Sequence, residues 1–325
     1  MECLYHYTTA AGLLGIVGEQ TIHATHIDFL NDSSEMKTAA PEIIKLFSNE
    51  VKEMIVGGQL PYIEIDPTKL QEFCELEGSA AYNAGVVTTS RFSPIFVTSF
   101  CKHKVSNDSY DGLLSQWRGY SNTGGYCVVF DKKLLESEFE KSDFANQKFA
   151  FRAASDVKYV AKADDIDLVE FKGIVGPLLK NKILKVLEDA ASPYFEDAKQ
   201  KYPKDELGRF TTALFEKTVN TIPFYKNISF TEEDEFRFAV AVYSQSAVPP
   251  NGDAPQKFRF RIRGETFVPY VQLFETNTIK LPILEIIVGP HRAAETRRKS
   301  VELFMATHGY NIPVRISSIP YESTW

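Results

Sequence analysis

Apolar positions along the first third of the chain switch between two periods, and the switch points give the elements. Leu4, Tyr5 and Tyr7 read as a first strand, and Leu13, Leu14, Ile16 and Val17 then recur at helical spacing, with Thr8 or Thr9 as the N-cap and Gly18 as the closing residue. Thr21–Thr25 returns to strand texture. A long amphipathic helix is expected from about Met36 to Val56, with Ile43, Ile44, Leu46, Phe47, Val51, Met54 and Ile55 on its apolar stripe. A second helix is expected around Lys69–Tyr82, buried strands at Ile95–Phe100 and Tyr126–Phe130, and a short helix between them.

From residue 133 to 222 the pattern becomes mainly helical. Leu168, Phe171, Val175, Leu178, Leu179, Leu184 and Leu187 keep a 3.6 period, Gly173, Gly176 and Pro177 mark a kink or break, and further helix is expected over Tyr194–Tyr202 and Asp205–Val219. Strands return at Glu235–Tyr243, Lys257–Ile262, Val268–Leu273 and Leu284–Val288. A helix at Ala294–Thr307 and a strand at Pro313–Ile319 close the chain. Strands and helices do not alternate regularly, so α+β is the expected class, not a doubly wound sheet. The organisation expected is an N-terminal half-core over 1–132, a helical insert over 133–222, and the rest of the same core over 223–325.

Composition changes this picture little. With 44% hydrophobic residues and 24% charged, the 325-residue chain has the balance of a soluble globular protein. A net charge of −7 disfavours nucleic acid as the main partner, although a local basic patch can override a global balance. Cys3, Cys74, Cys101 and Cys127 form no CxxC pair and are expected as reduced thiols; no metal site is expected. No basic leader and no long apolar run stand in the sequence, which gives the expectation of a cytoplasmic protein without a membrane span.

Four islands concentrate chemistry. The first is Tyr5-His6-Tyr7-Thr8, with Asn31-Asp32 behind it; the second is Thr98-Ser99 at the end of a strand. The third runs from Gln116-Trp117-Arg118-Gly119-Tyr120 through Gly124-Gly125 to Phe130-Asp131, and the fourth is Lys226 followed by Glu233-Asp234-Glu235-Phe236-Arg237. A histidine beside a helix N-terminus suits a polar or anionic ligand, and equally a core histidine satisfied by a backbone carbonyl. Glu233 and Glu235 share a strand face with Arg237 if the strand starts near Asp234, yet a four-residue acidic run is commonly a solvated loop. Trp117 and Tyr120, three apart, share a helix face that serves a core as readily as a ligand. Asn31 and Asp32 are equally helix caps. Arg259, Arg261 and Arg263, with Lys257, put four cations on one strand face, suited to phosphates or to a charged edge strand.

In this order the blocks resemble the family catalogued as domain of unknown function 2971, across nearly the whole chain except the insert. More distantly, they resemble the ADP-ribosyltransferase fold, a mixed or antiparallel β core with flanking helices. That likeness implies NAD as substrate, without a metal, and ADP-ribosyl transfer to a macromolecular acceptor or NAD glycohydrolysis, an activity that serves bacterial toxins or phage defence elsewhere in that superfamily. Mapped residue by residue, His6 takes the first-strand role that holds the NAD ribose, and Thr98-Ser99 the second-strand role. Glu233-x-Glu235 takes the role of the late carboxylate, the choice between the two staying open. Tyr5, Tyr7, Thr8, Asn31, Asp32, Trp117, Tyr120 and Arg237 line the implied cleft. The alternative is a non-catalytic nucleotide- or peptide-binding module of the same fold.

Overall fold

The computed structural model describes residues 2–30, 35–62, 64–87, 93–103, 111–120, 125–142, 149–202, 206–243, 258–275 and 280–320. Its frame is a ten-stranded mixed sheet with helices against both faces. The strands are β1 (Cys3–Thr8), β2 (Ile22–His26), β3 (Ile95–Cys101), β4 (Tyr126–Asp131) and β5 (Phe149–Asp156), then β8 (Glu235–Val242), β9 (Arg259–Arg263), β10 (Thr266–Leu273), β11 (Ile283–Val288) and β12 (Val314–Ile316). Two short strands, β6 (Lys158–Val160) and β7 (Tyr225–Asn227), pair in parallel outside it. Within the large sheet β11 and β12 run parallel, and the other pairs are antiparallel.

The sheet is split beside β3. One edge of β3 pairs along its whole length with β8. The other edge meets β1 only at Tyr5–Cys101 and β2 only at Thr25–Val97 and His26–Phe96. β1 continues into β4, β11 and β12, whereas β2 continues into β10 and the edge strand β9. The two wings therefore part around Thr98, Ser99 and Phe100.

Alternation along the strands decides what each face carries. One face buries Leu4, Phe96, Phe100, Phe236 and Phe238 under α1 (Ala10–Glu19), α5 (Lys132–Ser142) and α9 (Ala294–Thr307), which supply Leu13, Phe139 and Met305. The opposite face carries Tyr5, Tyr7, Cys101, Glu235 and Arg237. It is covered by α4 (Leu114–Tyr120) through Trp117 and by α8 (Glu206–Thr221) through Phe215 and Val219. A separate helical core joins α2 (Glu35–Val56), α3 (Leu70–Tyr82), α6 (Val175–Asp189) and α7 (Phe195–Lys201) to α8.

Several local expectations change. α1 ends at Glu19 with Gln20 in the left-handed conformation, so Gly18 is inside the helix; Thr9 is the N-cap, its Oγ1 accepting the Gly12 N–H at 3.2 Å. Gly176 and Pro177 lie in the first turn of α6, where proline costs no hydrogen bond, so they start a helix and do not kink one. β9 begins at Arg259; Lys257, Asn31 and Asp32 lie outside the described residues, as does the Tyr120 side chain. The segment expected as a helical insert holds β5, which pairs with β8 over Phe149–Asp156 and belongs to the central sheet. The four cysteines are free, three of them buried. Among the described residues no helix is long and apolar enough to cross a membrane, and no three His, Cys, Asp or Glu side chains group as metal ligands would.

Candidate functional site

The split in the sheet creates a polar demand that one side chain answers. Where β1 leaves β3, the carbonyl oxygen of Ser99 has no strand partner on that edge. His6 Nδ1 donates to it at 3.1 Å. A carbonyl only accepts, so Nδ1 carries the proton and Nε2 is left as the acceptor of the neutral ring. Burial holds the His6 pKa below the usual histidine range, against the raising effect of the Ser99 bond and helped by the charge of Arg261. His6 is thus a neutral imidazole near pH 7.

Across the same seam stands a buried cluster of four charges. Glu235, the first residue of β8, is 3% exposed; its Oε1 accepts from Lys226 Nζ at 2.9 Å and its Oε2 from Arg237 Nε at 2.6 Å. Lys226, on β7, also donates to Glu233 at 2.8 Å, and Arg237 Nη1 donates to the Pro223 carbonyl at 2.6 Å. Glu235 and Arg237 share a strand face as the alternation requires. Glu233 belongs instead to the 3₁₀ turn Ile228–Glu233, and Asp234 between them takes φ 41°, turning the chain so that both carboxyls reach one ammonium.

This arrangement drives the two acids apart. Burial pushes the Glu233 carboxyl up to about 7, reinforced by its hydrogen bond with Glu235 and only partly opposed by Lys226. Burial also raises Glu235, but Arg237, the bond with Glu233 and Lys226 together outweigh it and hold that group at about 2. The pair thus holds Glu235 toward its ionised form and shifts Glu233 toward neutrality. Two acids in one site with separated titrations can divide charge stabilisation from proton transfer.

Tyr5, His6 and Tyr7 from β1, Ser99, Phe100 and Cys101 from β3, Gln116 from α4, and Glu235 enclose a cavity of about 20 Å³. That volume suits one or two polar atoms. Of the residues chosen from sequence, His6, Tyr5, Tyr7, Ser99 and Glu235 therefore meet at one place. Thr8 stands on the same strand, its Oγ1 packed close to Gly12. Arg237 serves the cavity indirectly, through its bond to Glu235.

Trp117 is placed differently. It is fully buried, edge-on to Tyr7 with centroids 4.8 Å apart, its Nε1–H on the Asp111 carbonyl at 3.2 Å and its ring against Gly112. Tyr7 is fixed in turn, its hydroxyl accepting the Leu113 N–H at 2.8 Å. Both rings form the wall that carries α4, an arrangement of packing and not of open stacking.

Two residues of the site stand in the sequence islands without an assigned role. Lys226 is one, although a lysine before an acidic strand entry is the cation a buried carboxylate pair needs. Gln116 gave no signal, being one glutamine ahead of a conspicuous tryptophan.

The sequence model of the family described as "Protein of unknown function (DUF2971)" matches residues 116–238, from α4 into β8. This stretch holds Gln116, Trp117, Lys226, Glu233, Glu235 and Arg237 and supports the family likeness. It is narrower than the block-by-block resemblance, for it leaves out His6 and Ser99. No curated protein and no solved structure matches the chain.

Proposed function

We propose that this protein cleaves the nicotinamide–ribose bond of NAD and passes the ADP-ribosyl group to water or to a macromolecular acceptor. The observation that carries the reading is convergence: His6, Ser99 and Glu235, ninety or more residues apart in sequence, line one cavity at the split in the sheet. His6 and Ser99 stand in the first two strand roles that the resemblance to the ADP-ribosyltransferase fold implies, and Glu235 is one of the two carboxylates it leaves open for the third.

In the reaction, the bond between ribose C1′ and the pyridinium nitrogen breaks, and its electron pair neutralises the leaving nicotinamide. Positive charge gathers on the ribose, and Glu235, ionised across the working pH range, stabilises it. Water or an acceptor nucleophile adds to C1′ and releases a proton. Glu233, exchanging its proton near pH 7, is suited to take it.

The test is nicotinamide release from NAD by the purified protein, beside Glu235→Gln and His6→Ala, with circular dichroism confirming the fold of each. Turnover by the parent and a fall of about 10²–10³ in Glu235→Gln support the reading. A parent that neither binds nor cleaves NAD overturns it. The second reading, a nucleotide-binding module without catalysis, is favoured by the full engagement of both Glu235 oxygens with Lys226 and Arg237. Binding of NAD without turnover decides for it.

A further inference from the structure

Among the described residues β9 is the outermost strand on the side of β2 and β10, and it alternates strictly: Arg259, Phe260, Arg261, Ile262, Arg263. All of these residues are exposed. Phe260 is 59% and Ile262 74% exposed, and Phe267, directly across from Ile262 on β10, is 69% exposed. Charged side chains commonly protect a sheet edge from pairing with another chain. Protection does not account for three large apolar side chains left in water on the same hairpin.

The register shows which main-chain groups face outward. β9 and β10 are joined by the turn at Gly264 and Glu265, with Gly264 at φ 58°. The pair flanking a turn of this length, Arg263 and Thr266, exchanges its main-chain hydrogen bonds, and bonded pairs then recur at Arg261–Val268 and Arg259–Tyr270. The arginines therefore turn their backbone groups to β10, and the N–H and C=O of Phe260 and Ile262 point away from the sheet. The side chains separate in the same way, with Arg259, Arg261 and Arg263 on one face and Phe260, Ile262 and Phe267 on the other. Two guanidiniums are positioned by neighbours, Arg261 on Thr25 Oγ1 at 2.8 Å and Arg259 on Glu275 at 2.6 Å. The second of these bonds shows how a carboxylate meets the arginine row.

We infer that β9 is a docking edge, to which an extended segment of a partner protein with alternating acidic and apolar side chains adds as the next strand. Such a segment answers three features at once. Its main chain pairs with Phe260 and Ile262, its carboxylates meet the arginine row, and its apolar side chains cover the opposite face. A nucleic acid uses the arginines alone and leaves the outward amides and the apolar face unserved. Antiparallel pairing with a second copy of β9 sets arginines against arginines, and like charges across a strand pair repel. This inference is independent of the chemistry at the seam of the sheet.

The experiment measures binding of a fluorescent heptapeptide of alternating Glu and Val to the full-length protein by anisotropy. Two control peptides accompany it, one with Lys in place of Glu and one of the same composition arranged in blocks. Ile262→Pro removes the outward N–H while leaving the arginines and the bonds to β10 in place. Arg259→Glu combined with Arg263→Glu reverses the charge of the row, and a thermal melt confirms the fold of each variant. The parent is expected to bind the alternating Glu peptide at least tenfold more tightly than either control, and Ile262→Pro to lose at least tenfold. The double arginine variant is expected to prefer the Lys peptide, a reversal that carries the test even if Ile262→Pro does not fold. A parent that fails to bind the alternating peptide overturns the inference. Equal binding of the block peptide does so too, since it shows charge attraction without strand addition, as does undiminished binding by folded Ile262→Pro. A single-stranded oligonucleotide that binds more tightly than the peptide makes nucleic acid the occupant, and self-association abolished by Ile262→Pro makes it a second copy. Either result overturns the inference and leaves NAD cleavage untouched.

Discussion

His6 donates its ring N–H to the main-chain oxygen of Ser99 at 3.1 Å, a side chain standing in for a strand where β1 and β2 part company beside β3. A split sheet exposes backbone groups that must be satisfied by something, and here the answer also fixes a tautomer and turns an acceptor nitrogen outward. Removing that ring leaves the Ser99 carbonyl unpaired in a half-buried seam. His6→Ala is expected to lose about 1–3 kcal/mol of stability, measured by urea denaturation, in addition to any effect on a ligand. A loss of under a few tenths would mean that water serves Ser99 equally well, and that His6 is not a structural element of the seam.

The charge cluster makes a larger prediction. Arg237 is 2% exposed, and its guanidinium is shared between Glu235 and the Pro223 carbonyl. Replacing it with methionine removes a cation from a site water hardly reaches, leaving Glu235 with Lys226 as the cation beside it. Breaking one member of a buried ionic group costs about 3–5 kcal/mol, several times the value of an exposed pair. The exposed Lys201–Asp197 pair on α7 is the internal control. Comparing the urea midpoints of Arg237→Met and Lys201→Met checks the contrast, and equal small shifts would contradict it.

The pH dependence of stability follows from groups moved in opposite directions. Burial, with Arg261 nearby, brings His23 from 6.5 down to about 4, and burial alone brings His103 to about 3. The unfolded chain takes these protons near 6.5, and the folded one refuses them until much lower pH. Their contribution is therefore fully present above 6.5 and is lost as the pH falls toward about 4 and about 3. Glu233 has the other sign. Its folded carboxyl keeps a proton up to about 7 that the unfolded chain releases near 4.5, so its contribution is present below 4.5 and is lost as the pH rises through about 7. Melting temperatures recorded from pH 3 to 8 check both: His23→Gln should flatten the acid limb, and Glu233→Gln the slope between 4.5 and 7.

Most of the frame was legible because its signals are local. The strands around Ile95–Phe100, Tyr126–Phe130 and Glu235–Tyr243 are runs of aromatic and β-branched residues, and α2, α3 and α9 have clear apolar periods. β5 was missed because Phe149-Ala-Phe-Arg-Ala-Ala-Ser-Asp has little β-branched content, and its far half is exposed; pairing with β8 makes it a strand. The site was half legible for a related reason. Tyr5, His6, Ser99 and Glu235 stand in conspicuous chemical company. Gln116 acquires meaning only once α4 is seated on the sheet, and no local pattern announces that. The Glu233–Lys226 bond likewise depends on the left-handed turn at Asp234, where simple alternation would carry the strand back to Glu233.

The packing of α2 on α3 gives the last prediction, one in which two ordinary rules compete. Gly78 lies inside α3, where alanine is better by about 1 kcal/mol on helix propensity alone. Yet α2 crosses so closely there that a methyl group at residue 78 would stand 2.8 Å from the Ile44 carbonyl oxygen, 2.8 Å from the Ser48 amide nitrogen, and closer still to the Ser48 hydroxyl. Two of those neighbours are backbone and cannot rotate away, and the Ser48 hydroxyl is itself bonded to the Ile44 carbonyl at 2.8 Å. Relief requires the helices to move apart, loosening the contacts of Phe47, Val51 and Cys74 in the helical core. Overpacking of this kind costs about 1–3 kcal/mol, which exceeds the propensity gain. Gly78→Ala is therefore expected to destabilise the protein, while Gly15→Ala, at a position in α1 with open space around it, should stabilise it slightly. Thermal melts of the two variants side by side decide the matter, since a rise for both would mean that propensity governs and the helix crossing yields.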